Sequence, residues 1–161
     1  MALANETEAY KILQELDIDY QRYDHQAITS GKNLDFSLPN PPVKNLLLQN
    51  KQGKQFYLYL LPNEKRADLS ALAQVLEEKR LTFAKAQQLE ELLHVSAGTV
   101  TPLGLMFDKK NRIKLLVDEN LKELGVISLH PFVNSTTLSI SYQDFERLML
   151  RLGHDSKLVS D

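Results

Sequence analysis

No cysteine occurs in the 161 residues, which excludes a disulfide framework, a thiolate metal site and a cysteine nucleophile. No apolar run approaches the ~20 residues that a membrane-spanning helix needs, so no membrane partner is expected. Met1 to Glu8 has neither a basic segment nor an apolar core, so no signal peptide is expected there, and the expected compartment is the cytoplasm. Three common catalytic signatures are missing: a G-x-x-x-x-G-K-[ST] phosphate loop, a G-x-G-x-x-G turn after a strand, and a G-x-S-x-G nucleophile elbow. The four histidines, His25, His94, His130 and His154, form no i, i+4 pair and have no cysteine companions, so no metal site is expected. Charge of one sign is not in excess either. A formal net charge of −2 argues against a general nucleic-acid coat protein, while leaving a local basic face open.

What is present is ordinary for a soluble globular chain: 43% hydrophobic and 25% charged residues, in a length that suits one domain over residues 1–161. Ala9, Ile12, Leu13 and Leu16 recur at helical spacing over residues 5 to 16, with Asn5 and Glu8 placed as a capping pair. Ile18, Tyr20 and Tyr23 suggest an extended segment ending near His25. From Gln26 to Pro42 no period holds, and a connection of that length reads as a mobile flap beside Lys44 or as plain disorder. Val43 to Gln49 and Gln55 to Leu61 read as a hairpin around the turn Asn50 to Lys54. A helix is expected from Asp68, a short strand at Leu81 to Phe83, and a third helix ending near Leu93.

The stretch Ser96 to Gly104 carries two glycines and a proline among small hydroxylated residues. It reads either as a plain helix-to-strand connection or as a loop whose N–H groups face something negative. Beyond it, Gly104 to Phe107 and Arg112 to Val117 are expected to form a second hairpin, with Leu105 to Phe107 as a buried strand start. One or two helical turns follow from Asp118 to Gly125, then strands at Val126 to Leu129 and Thr136 to Ile140. The last helix is capped by Ser141, buries Phe145, Leu148, Met149 and Leu152, and stops at Gly153. Interspersed strands and helices, with hairpins rather than regular alternation, predict a mixed α/β fold: a mixed sheet or a partly closed barrel-like sheet surrounded by helices.

Three polar insertions sit at the edges of apolar elements. Lys44-Asn45 opens the strand after Pro41-Pro42; a lysine there is either a solvated surface residue or aimed into a pocket. The Ser96 to Gly104 loop is the second. His130, between Leu129 and Pro131, is either a core histidine satisfied by backbone or a functional one, with Asn134 and Thr136 just beyond it.

The order Lys44-Asn45, Gly98-x-x-x-Pro102, His130-Pro131-x-x-Asn134 resembles the YbaK/ProX-type editing domain family associated with prolyl-tRNA synthetase. The flanking Leu89 to Leu93 and Gly98 to Leu105 add to the match. The resemblance is closest to the free-standing branch that deacylates alanine mischarged onto proline tRNA. It implies a mixed α/β barrel-like domain that hydrolyses the aminoacyl ester without metal or cofactor. It makes Lys44 the family's lysine, Gly98 and Pro102 its glycine-loop residues and His130 its histidine, with Lys44, Gly98 and His130 as the catalytic set. Asn45 matches the alanine-editing branch, whereas Val43 departs from a position that is often threonine.

Substrate contacts are then expected from Val43, Asn45, Ser96, Thr99, Thr101, Pro102 and Asn134, with N–H groups around Gly98 and Thr99 facing the oxyanion. Arg80 and Lys51 are candidate tRNA phosphate contacts among the basic residues, which include Lys54, Lys79, Lys109, Lys110 and Arg112. The implied partners are the acceptor end of mischarged tRNA and a prolyl-tRNA synthetase or elongation factor that holds the protein in place. Deacylation of another small residue, cysteine or serine, and non-catalytic binding of aminoacyl-tRNA or a small ligand remain as alternatives.

Overall fold

The computed structural model describes residues 3–26 and 41–160. The flap expected over Gln26 to Pro42 lies outside the described residues except at its two ends. Among the described residues no helix is long and apolar enough to cross a membrane.

Helix α1 (Glu6–Glu15) forms where the helical spacing predicts it. Asn5 Oδ1 accepts the Glu8 N–H, and Glu8 Oε2 accepts the Asn5 N–H at 3.0 Å, so two orphan donors are satisfied reciprocally. Strand β1 (Gln21–Asp24) follows, then β2 (Val43–Asn50) and β3 (Phe56–Pro62), which pair antiparallel as expected. Helix α2 (Leu69–Val75) is capped by Asp68, whose side chain accepts the Ala71 N–H. Strand β4 (Leu81–Phe83) and helix α3 (Ala86–Leu93) complete the first half. After two 3₁₀ turns come β5 (Ile113–Asp118), α4 (Glu119–Glu123), β6 (Val126–Leu129), β7 (Thr136–Ser141), α5 (Tyr142–Arg151) and β8 (Ser156–Val159). Strand β8 has no counterpart in the sequence reading.

The strands divide between two sheets, one ordered β1-β7-β6 and one ordered β4-β2-β3-β5-β8. The fold is therefore mixed α/β, but the ladders do not close the strands into the partly closed barrel that was expected. Strand β3 lies at the centre of the larger sheet and every one of its residues is buried, as its unbroken apolar run requires of a strand covered on both faces. One face packs on α2 through Leu72 and Ala73, against Leu48, Tyr57, Tyr59, Leu61, Leu116 and Val159. The other face meets the main core, which gathers α1, α3, α5 and the smaller sheet around Leu58, Leu60, Leu115 and Val117.

The expected second hairpin does not form. Pro102–Phe107 is a 3₁₀ helix with Pro102 in its first turn and Thr101 as its cap, and β5 pairs parallel with β3 and β8 instead. Packing decides this. A Cβ on Gly104 would come within 2.9 Å of both Leu93 Cβ and Leu93 O, so the segment is pressed onto the end of α3. Gly104→Ala is expected to overpack that contact and cost about 1–3 kcal/mol, read as a lower urea midpoint at unchanged slope.

Asp108, just past that helix, ties the second half together. Its Oδ1 accepts the Arg112 N–H and its Oδ2 accepts the Ile113 N–H, both at 2.9 Å. His154 Nε2 lies 2.9 Å from Oδ2, and both side chains are 2% exposed. The start of β5 and the residues leading into β8 are thus held by one carboxylate.

Candidate active site

Lys44 and Asn45 are neighbours on β2 and so leave the sheet on opposite faces. Lys44 pairs with Leu61 and starts on the α2 side, where its Nζ donates to Lys65 O at 2.8 Å. Lys65 is itself anchored, its ammonium bound to the fully buried carboxylate of Asp118, which also caps α4 through the Asn120 N–H. Asn45 pairs with Leu60 on the main-core side. Its Nδ2 makes only a 3.4 Å bond to Val43 O, and its buried Oδ1 has no hydrogen-bond partner among the described residues. Val43, opposite Pro62, is half-buried against the main core.

The glycine loop folds into a short 3₁₀ turn, Ala97–Thr99. The Ser96 and Thr99 hydroxyls lie 3.2 Å apart, and the Thr99 N–H donates to Ser96 O at 3.1 Å. Thr99 N–H is therefore committed to the turn, and does not stand free for an oxyanion as the sequence suggested. Thr101 is fully buried, its hydroxyl accepting the Leu103 N–H, and Pro102 is buried beside it. Gly98 stands beside the third motif: a Cβ placed on it would lie 3.8 Å from Asn134 Nδ2. The glycine loop and the His130-to-Asn134 turn are thus neighbours in space.

That turn is held by aromatic packing. Phe132 adopts φ +66° while only 5% exposed, a left-handed conformation that burial must over-determine. It packs on Phe107, whose ring stacks on His94 at 4.0 Å, so the turn is fastened to the end of α3. His130 Nδ1 lies 3.3 Å from Thr136 O. A carbonyl only accepts, so Nδ1 carries the proton and the neutral ring leaves Nε2 as an acceptor. Burial, with His25 nearby as a second and smaller cause, holds the His130 imidazole below its ordinary range against the opposing pull of the Thr136 carbonyl. The ring is therefore neutral at pH 7.

Lys51 and Arg80 come together, but away from Lys44. Lys51 follows the last residue of β2 and Arg80 precedes Leu81, which pairs with Asn50. At the rise of an extended strand this puts Lys51 ~20 Å along β2 from Lys44. The sequence reading missed Lys65 and Asp118 behind Lys44, and His25 beside β7. His25 Nε2 and Thr137 Oγ1 are 2.7 Å apart across a separation of 112 residues, and no local pattern announces such a pairing.

Comparison with known proteins shows the family. The model of the aminoacyl-tRNA editing domain family matches residues 32–148. Prolyl-tRNA editing protein ProX of Acetoanaerobium sticklandii is 29% identical over 150 residues, spanning 91% of this chain and 92% of its own. Prolyl-tRNA synthetase associated domain-containing protein 1 of Bos taurus is 32% identical over 121 residues, covering 73% of this chain and 70% of its own. A solved structure described as a candidate trans-editing enzyme for prolyl-tRNA synthetase superposes with a TM-score of 0.72 at 17% identity, over 97% of this chain and 96% of that one, which is a likeness of fold. The chain belongs to the aminoacyl-tRNA editing domain family, a family of enzymes that deacylate aminoacyl-tRNA.

Proposed function

We propose that this chain is a trans-editing deacylase that hydrolyses the ester of alanine mischarged onto proline tRNA. The observation that carries the reading is the approach of Gly98 to Asn134, which joins the glycine loop to the turn that holds a neutral His130. An aminoacyl ester is already activated, so positioning, oxyanion stabilisation and a proton acceptor suffice. Water adds to the ester carbonyl and gives its proton to His130 Nε2. Negative charge then collects on the former carbonyl oxygen, towards which the Gly98 N–H donates. Collapse breaks the bond to the ribose oxygen of the terminal adenosine, which takes the proton back and leaves as free tRNA.

Lys44 spends one of its three N–H groups on Lys65 O. Strand β4 pairs only with Leu48 to Asn50, so among the described residues β2 is an open edge beside Lys44. Around that edge the other two N–H groups serve the ester or the terminal phosphate. The unsatisfied Oδ1 of Asn45 is the acceptor for the substrate's α-amino group. Val43, Ser96, Ala97 and Thr99 are small or β-branched and line a pocket that admits a methyl side chain, with Thr101 and Pro102 supporting it from behind. Proline is refused by collision, because no hydrogen bond can recognise a methyl group. Lys51 and Arg80, far along β2, meet phosphates beyond the terminal adenosine, whether a synthetase or an elongation factor delivers the tRNA.

Deacylation of proline tRNA charged with alanine, proline, cysteine or serine tests the assignment. Alanine is expected to be released at least ~100-fold faster than proline, since a clash is not bound by the ~1–3 kcal/mol per methylene that pocket filling allows. Serine released nearly as fast as alanine agrees with a small pocket that rejects an added hydroxyl poorly. Equal release of alanine and proline, at equal tRNA binding, would eliminate the assignment. Faster release of cysteine than of alanine would make the chain a cysteine-editing enzyme instead.

A further inference from the structure

His25 has no part in the chemistry above, yet it is built into the same corner. Strand β1 pairs with β7 from Gln21 opposite Ser139 to Asp24 opposite Thr136. The pairing continues one step further, with the His25 N–H donating to Ser135 O at 2.9 Å. Thr136 Oγ1 donates to Asp24 Oδ1 at 2.8 Å, and Thr137 Oγ1 lies 2.7 Å from His25 Nε2. The other ring nitrogen, Nδ1, is 2.9 Å from Gln26 O. Since that oxygen only accepts, Nδ1 donates to it, and in the Nδ1–H tautomer Nε2 accepts the Thr137 hydroxyl as a hydrogen bond.

Both threonines are buried, and three consecutive residues, Ser135, Thr136 and Thr137, are gripped from the β1 side. From the other side, His130 rests its Nδ1–H on the Thr136 carbonyl. Leu129 faces Leu138 in the β6–β7 ladder, so His130, one step on, stands across from Thr137. The stretch that matches the family model begins at residue 32, after His25.

We propose that His25 is a positioning residue for His130. By holding the Thr137 hydroxyl and the Ser135 carbonyl, it fixes the Thr136 carbonyl that keeps the His130 proton on Nδ1 and leaves Nε2 open. The claim rests on His130 being the residue that meets the attacking water or the terminal adenosine.

The test combines turnover of alanine-charged proline tRNA with ¹⁵N NMR of the imidazole rings. His25→Ala and the nearly isosteric Thr137→Val are each expected to lower kcat by ~10–100-fold at little change in KM, because a misaligned group loses rate rather than binding. The double variant should be no slower than the worse single one, since both act through one contact. His25→Gln, whose amide oxygen can accept from the Thr137 hydroxyl, should restore most of the rate. In the spectra His130 should be the Nδ1–H tautomer in the native protein, and a mixture in His25→Ala and Thr137→Val. Additive losses, or a His130 tautomer unchanged in both variants, would overturn the proposal. Wild-type turnover by His130→Ala would instead remove His130 from the chemistry, and the tautomer measurement would still decide whether His25 positions its ring.

Discussion

Lys44→Ala is expected to lower deacylation by ~10²–10³-fold, the usual loss when one donor to a developing oxyanion or its phosphate neighbour is removed. The fold should hardly notice. Lys44 is the second residue of β2, half-buried, and its only described polar contact is the bond to Lys65 O. That carbonyl stays in place when the ammonium is gone, because Lys65 is anchored by its own ion pair to Asp118. A single partly exposed charge contributes about 0–1 kcal/mol, so the melting temperature should move by no more than a few degrees. Lys44→Arg is not expected to rescue the rate, since a planar fork cannot replace a compact ammonium that bonds a carbonyl and a substrate at once. Turnover at the wild-type rate by Lys44→Ala would remove this lysine from the mechanism.

The largest loss of stability is expected from Asp108→Ala. Three donors converge on that carboxylate: the Arg112 N–H, the Ile113 N–H and the His154 ring. Truncation leaves these buried donors unpaired, and each orphaned group costs about 1–3 kcal/mol, so a total of about 3–5 kcal/mol is expected. At a few degrees per kcal/mol for a chain of this size, the melting temperature should fall by ~10 °C or more. Asp108→Asn keeps one acceptor oxygen and should lose less. Activity per folded molecule should be unchanged in both, because the network lies at the start of β5 and the entry to β8, not beside His130. A melting temperature within two or three degrees of wild type would show that the pair carries little net stability.

Local chemistry made much of the secondary structure legible. Asn5 with Glu8, Asp68, and Ser141 with Asp144 mark helix starts that the structure keeps, because a cap satisfies its orphan N–H groups within three residues. The β2–β3 and β6–β7 hairpins were readable for the same reason: turn and strands are adjacent in the chain. Gly98, His130 and Asn134 were identifiable by residue type and order, and Gly98 and Asn134 do meet in space. The reading failed at Gly104 to Phe107, where apolar residues in a short run fit a strand and a 3₁₀ helix equally, and contact with Leu93 chose the helix.

By itself, then, the sequence determined the short-range elements, their caps, and the ordered set of motifs that marks the family. Tertiary structure alone decided that β5 runs parallel to β3, that Ser156 to Val159 becomes an edge strand, and that Lys44 rests on Lys65 while Asn45 faces the other side of the sheet. It alone placed His25 against Thr137, 112 residues away. The physical reason is the range of the interactions. A cap or a hairpin turn is settled within a few residues, whereas a parallel ladder, a sheet face and a buried hydrogen bond between distant side chains exist only after the intervening chain has packed.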